Sequence, residues 1–183
     1  MTSTATTQSD SSNSAAPAVI IRRAGPADGP AFISLVVALA DYEHLTPPDD
    51  AARARLLTDA FGDRPRFEVF LAVIEGFAVG YATVFETYST FLALPTFYLE
   101  DIFVLEAYRK RKAGFALFRH CAAEAKRRGC GRMEWTVLDW NTPSIKFYQR
   151  QGAKHLTEWY HYRLTAPEIE ALLAGDAPAD AMP

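Results

Sequence analysis

Hydrophobic and polar positions along the chain change period several times, and each change marks an element. Ala18 to Arg22 reads as a short strand, broken at Gly25-Pro26 ahead of a helical stretch from Asp28 to about Tyr42 that tolerates Pro30 in its first turn. Pro47-Pro48-Asp49 stops that helix and caps a second one over Ala51 to Phe61. Phe67 to Ile74 and Phe77 to Thr87 are β-branched and aromatic runs joined through Glu75-Gly76, the pattern of an antiparallel hairpin. Tyr98 to Leu105 is a third such run, Ala113 to Arg128 a helix, Arg132 to Leu138 a strand, Pro143 to Gln151 a helix and Trp159 to Leu164 a final strand. The order β-α-α-β-β-β-α-β-α-β predicts an α/β fold built on one sheet of mixed direction.

Composition bounds what such a fold can be. A chain of 183 residues fits one domain, and its 49% hydrophobic content is enough for a core without disulfides or metals. Residues 1–16 have almost nothing to bury and lack the basic start and apolar stretch of a signal peptide, so a disordered tail is expected there. The folded domain is expected over 17–166, followed over 167–183 by a short helix and an Ala/Asp/Pro tail. A net charge of -3 excludes a uniformly basic nucleic-acid binder. The longest apolar run, Ala31 to Ala40, is half of a bilayer span and reads as a core helix, so no membrane partner is expected. Cys121 and Cys130 form no CxxC pair, which points to a reducing, cytoplasmic compartment. His44, His120, His155 and His161 are scattered without metal-ligand spacing, and no GxSxG elbow occurs, so neither a metal nor a serine hydrolase is expected.

Three segments carry candidate chemistry. In the strand Tyr98 to Leu105, period-2 counting puts Tyr98, Ile102 and Val104 on one face and Leu99, Phe103 and Leu105 on the other, so each face holds one carboxylate, Glu100 or Asp101. An unpaired charge inside a buried strand is costly; these acids are either paired for stability or serve as a general base in a cleft. The run Tyr108-Arg109-Lys110-Arg111-Lys112-Ala113-Gly114 opens directly into a helix, where unsatisfied N–H groups, the helix dipole and basic side chains favour a phosphate or pyrophosphate. In the third segment Thr142 and Pro143 suit the start of a helix and Gly152 its end, and Tyr148 lies one turn beyond Ser144 on the same face.

Taken together, over residues 18–166, these segments resemble the GNAT superfamily of acetyl-CoA-dependent N-acetyltransferases. That family carries Q/R-x-x-G-x-G/A after its central strand, then an Asn-containing loop and a Phe-Tyr helix; here Arg109, Ala113, Gly114, Asn141, Phe147 and Tyr148 fit. Leu39-Ala40-Asp41-Tyr42-Glu43, Phe61-Gly62-Asp63-Arg64-Pro65, Tyr98-Leu99-Glu100-Asp101-Ile102-Phe103-Val104 and Trp140 to Tyr148 are similar to stretches of the diamine (spermidine/spermine) and thialysine N-acetyltransferases.

The resemblance implies a mixed, mostly antiparallel sheet flanked by helices in a single domain. It also implies an enzyme that acetylates a primary amine of a small cationic substrate, and a homodimer. Acetyl-CoA would lie with its pantetheine arm on the backbone of Ile102, Phe103 and Val104 and its pyrophosphate on Arg109, Lys110, Arg111, Lys112, Ala113 and Gly114. Asn141, Ser144 and Phe147 would also contact it, with Asn141 and Tyr148 flanking the thioester. Glu100 would be the base and Tyr148 the acid, and Tyr42, Glu43, Glu100 and Asp101 would bind the amine. The chain departs from the pattern at Lys112, where the motif has its first Gly, and at Ser89-Thr90-Phe91, where the polyamine enzymes have an acidic residue followed by an aromatic one. Loss of turnover through Lys112 would leave a non-catalytic acyl-CoA-binding regulatory module, the alternative reading.

Overall fold

Five strands pair in chain order: β1 (Ile20–Arg23), β2 (Glu68–Ile74), β3 (Phe77–Ser89), β4 (Leu94–Val104) and β5 (Arg132–Glu134). Successive pairs are antiparallel except β4 with β5, which run parallel. The computed structural model describes residues 17–175, so the tails expected to be disordered, 1–16 and the end of 167–183, lie outside the described residues. The chain falls into two compact units, Met1–Thr136 and Val137–Pro183. The first holds the sheet with α1 (Gly29–Glu43), α2 (Asp50–Phe61) and α3 (Ala113–Arg127); the second holds α4 (Thr142–Arg150) and α5 (Ala166–Ala174).

Local chemistry explains most boundaries. Asp49 caps α2 by accepting the Ala52 N–H at 2.7 Å. The β2–β3 hairpin turns through Glu75 (φ 51°) and Gly76 (φ 84°), two left-handed residues whose twist matches that of the strands. Gly80 is required by close approach: a Cβ there would lie 2.5 Å from the Phe103 carbonyl oxygen of β4.

The sheet is covered on both faces. On one, Leu117, Cys121 and Ala125 of α3 pack against Phe70, Ala72, Val84, Phe97, Leu99 and Val104. On the other, Phe32 and Leu35 of α1 and Ala60 of α2 pack against Val69, Leu71, Tyr81 and Phe103. Burial of both faces explains why β2 and the middle of β3 are almost continuously apolar rather than alternating.

Two expected strands change. The run expected from Arg132 to Leu138 is strand only to Glu134, and Trp159 to Leu164 forms no strand. Alternation supplies the side-chain pattern, but a strand exists only where a second backbone accepts its hydrogen bonds, and among the described residues no ladder pairs with 159–164. The start of α4 also moves by one: Asn141, not Thr142, is its N-cap and accepts the Ser144 N–H at 3.3 Å.

At the far end of α3 a half-buried ionic cluster ties helix to sheet. The Arg128 guanidinium donates to Glu68 of β2 and to Glu124 at 3.0 Å, and it lies 5.4 Å over the ring of Phe97. Hydrogen bonds from Arg127 first, and from Arg128, hold the Glu124 carboxyl down at about 2 against an ordinary value of 4.5. A carboxyl depressed by folding contributes stability above its unfolded value that is lost as pH falls toward its folded one. Glu124→Gln should therefore lower the melting temperature at neutral pH, with the deficit closing between about 4.5 and about 2; thermal melts of parent and variant across that range check it.

Candidate active site

The site begins with a break in register. Thr83 of β3 pairs with Asp101, but its neighbour Val84 pairs with Leu99, so Glu100 is an extra residue bulged out of β4. The bulge reverses the alternation beyond it. Leu99 shares the α3-facing core with Ile102 and Val104, while Phe103 and Leu105 pack on the face of α1 and α2. The assignment by strict period 2, with one carboxylate on each face, is thus corrected: Glu100 and Asp101 line the same cavity. Glu100 is also exposed rather than buried, because a bulged residue leaves the ladder.

That cavity, of about 460 Å³, is walled by Phe32 and Val36 of α1, Leu56 of α2, and Phe67 and Phe85, with Arg66 and Thr83 completing its lining. Within it Asp101 is held in place. The Thr83 hydroxyl donates to its carboxylate at 2.8 Å and accepts its backbone N–H at 3.1 Å. Burial pushes the Asp101 carboxyl above its ordinary value, and the bond from Thr83 only partly offsets this. Tyr81 lies beside it, its hydroxyl buried without a well-formed hydrogen bond. Burial first, and then the charge of Asp101, drive the Tyr81 proton to be held far above the usual phenol range. Glu43, at the last position of α1, is raised for the same two reasons, burial and the charge of Asp101. An acid held in an apolar-walled cleft, whose charge also raises a neighbouring carboxyl's affinity for a proton, favours a cation there.

Tyr42, expected among the amine-binding residues, lies beneath Arg109. The Arg109 guanidinium lies 4.5 Å over the Tyr42 ring and 5.9 Å over that of Phe103, and its Nε donates to the Val104 carbonyl at 3.2 Å. Arg109 thus braces the loop after β4 against Tyr42 of α1 and Phe103 of β4.

That loop leads into α3. Lys110 and Lys112 both adopt left-handed backbone with φ 65°. For a side chain with a Cβ that conformation costs about 1–2 kcal/mol, which is why the motif favours Gly at the second of these positions. Lys112 caps α3 without a side-chain bond, so the first-turn N–H groups of Ala113, Gly114 and Phe115 remain directed out of the helix end. Gly114 meets no crowding, since a Cβ would sit 3.7 Å from Val104. Lys110, Arg111 and Lys112 border a groove of about 920 Å³ shared with Val19 and Ile21 and with Phe115, Arg119 and His120 of α3. On the side of β4 away from β3, β5 pairs only with Thr96 to Tyr98, so among the described residues no strand covers the backbone of Ile102 to Val104 there.

In the second unit, Asn141 and Tyr148 are buried, Ser144 and Phe147 half-buried, and the Phe147 and Tyr148 rings pack edge-on at 5.4 Å. The first unit brings together Glu43, Glu100 and Asp101 on one side of the sheet and the 109–114 loop at its end. Sequence reading did not single out Tyr81, Thr83, Arg66 or Arg119, and it weighed His120 only as a metal ligand. Only the β3–β4 register, which local pattern does not carry, sets Thr83 against Asp101. No group of three or more metal-ligating side chains forms among the described residues, and none of their helices is long and apolar enough to cross a membrane.

Known proteins match this arrangement. The model of the acetyltransferase (GNAT) family covers residues 35–153. L-ornithine N5-acetyltransferase of Arabidopsis thaliana is 37% identical over 126 residues, 69% of this chain, which spans half the length of that relative. Thialysine N-epsilon-acetyltransferase of Sus scrofa is 32% identical over 165 residues, 84% of this chain and 96% of its own length. An integron cassette protein from V. cholerae superposes with a TM-score of 0.75 at 24% identity, over 85% of this chain and 97% of its own, and so shares the fold. On these matches the chain belongs to the acetyltransferase (GNAT) family, the acetyl-CoA-dependent N-acetyltransferases.

Proposed function

We propose that the protein transfers an acetyl group from acetyl-CoA to a primary amine of a small cationic substrate: a diamine, a polyamine or a thialysine-like amine. The observation that carries this reading is the apolar-walled cleft in which Asp101 is oriented by Thr83 and electrostatically coupled to Glu43. The names of the relatives support it, since ornithine and thialysine both carry a terminal primary amine.

Each segment then has a task. Bound acetyl-CoA supplies the acetyl group as a thioester. The uncovered backbone of Ile102 to Val104 suits the amide-bearing pantetheine arm, and the α3 N-terminus with Arg109 to Gly114 suits the pyrophosphate. Asn141, Ser144 and Phe147 complete the cofactor contacts. An alkylammonium has a pKa of about 10, so it must lose a proton before its nitrogen can attack. Glu43 and Asp101 attract the cation, and exposed Glu100 receives that proton through water. As the new C–N bond forms and the C–S bond breaks, the Tyr148 hydroxyl protonates the sulfur and is reprotonated from solvent. A homodimer in the cytoplasm belongs to the same reading.

The first test is turnover, followed as thiol release across diamines, polyamines, thialysine and lysine. Acetyl-CoA should raise the melting temperature by mass action. Tyr148→Phe should lower kcat roughly ten- to a thousandfold with little change in cofactor affinity, and Glu100→Gln should lower rate most at neutral pH. Cofactor binding without thiol release on any amine would support the regulatory module instead.

Lys112→Gly removes an unfavourable backbone conformation together with one ammonium. Because the helix N–H groups, Lys110 and Arg111 still serve the anion, the variant should bind acetyl-CoA more tightly at physiological salt and with less dependence on ionic strength. Titration at several salt concentrations checks both; weaker binding throughout would make Lys112 a phosphate ligand.

Asp101→Asn tests the cleft. A carboxyl raised by folding contributes stability that is lost as pH rises through its folded value. The neutral variant should therefore melt higher than the parent at pH about 7, with the gain vanishing below the ordinary value of 3.8, while kcat/KM for amines falls at least about tenfold. Melting curves and amine kinetics on the same preparations distinguish this from simple misfolding.

A further inference from the structure

The cavity that holds the two acids also holds a base. Arg66 lies in the bend between α2 and β2 and contributes to the same lining as Glu100 and Asp101, together with Phe67 and Phe85. A diamine or polyamine presents only positive charge, and a guanidinium in its cavity repels it. Resting on the amine-acetyltransferase reading above, we propose that the acceptor is a basic α-amino acid acetylated on its terminal side-chain nitrogen, with Arg66 binding its α-carboxylate.

The spacing fits. Thr83 pairs with Asp101 on one side and with Val69 on the other, which places these three at one level of the sheet. Arg66 precedes Val69 by three residues in the bend before β2, and Val69 lies two strands from Asp101, about 10 Å across the sheet at roughly 4.8 Å per strand. In ornithine five bonds separate the terminal nitrogen from the carboxyl carbon, about 6 Å when extended. Charge-assisted bonds of about 2.8 Å at each end bring the anchor-to-anchor span to about 12 Å. The methylenes between would lie along Phe67 and Phe85.

Arg66 is also placed for a second carboxylate. Asp59 of α2 contacts its Nε at 3.2 Å, and the side chain is otherwise 79% exposed. A guanidinium has five N–H donors in a fork, so a side-on contact at Nε orients the group without using its whole capacity. Nor is the ion pair needed to form the bend. The Arg66 N–H already donates to the Asp59 carbonyl at 2.7 Å, and an exposed pair adds little to stability.

The test compares ornithine with 1,4-diaminobutane, its decarboxylated counterpart, and with ornithine amide, in which the carboxylate charge is removed. The parent should favour ornithine over both by about tenfold or more in kcat/KM, and Arg66→Gln should bring that ratio to about one, chiefly by raising KM for ornithine. Arg66→Lys should restore part of the preference. A parent that turns over the diamine as well as ornithine, or an Arg66→Gln variant that leaves the ratio unchanged, would overturn the assignment of Arg66 while leaving amine acetylation intact. Absence of thiol release with every amine would overturn the underlying reading and this one with it.

Discussion

The extra residue at Glu100 is the constraint on which the candidate site depends. A strand inside a two-faced sheet must bury both of its faces, and an unbroken β4 would set Asp101 against the apolar cluster of Leu117 and Cys121. One additional residue reverses the parity of everything after it. The apolar residues Ile102 and Val104 then meet α3, Phe103 meets α1, and the two acids emerge together on the face where α1 and α2 leave a cleft. The bulge therefore resolves a packing requirement and assembles charge in the same step.

The charges are divided along the molecule. Acids converge on the α1/α2 face of the sheet, whereas the basic residues gather at the N-terminus of α3, where the helix adds its own positive potential. Under the proposed function, a small ammonium and a polyanionic cofactor are served by different parts of one unit. Arg109 joins the two regions: its backbone belongs to the loop, while its guanidinium rests on Tyr42, the residue before Glu43.

Most of this fold was legible from short-range signals. The cap at Asp49, the first-turn Pro30, the Glu75-Gly76 turn and the helical stripe of Leu117, Cys121 and Ala125 each depend on residues within a turn or two of one another. The failures share a cause. Whether Trp159 to Leu164 becomes a strand depends on a partner backbone, and which face Leu99 adopts depends on a register shift against β3, so both are decided far away in sequence. The site was legible to the same degree. Glu100, Asp101 and the basic loop stood out because charge interrupts an apolar pattern, whereas Arg66 and Thr83 looked ordinary until the sheet set them beside those acids.

The paired bonds between Thr83 and Asp101 have a consequence for affinity. A free carboxylate at the mouth of a cleft samples several rotamers, and a ligand that fixes it must overcome that lost freedom at the moment of binding. Here the hydroxyl of Thr83 both donates to the carboxylate and accepts from the N–H of the same residue, and its β-branched side chain is itself confined to few rotamers. The ordering of the anion is thus completed when the sheet forms, and the ammonium of the proposed function would meet a partner whose conformational entropy folding has already removed.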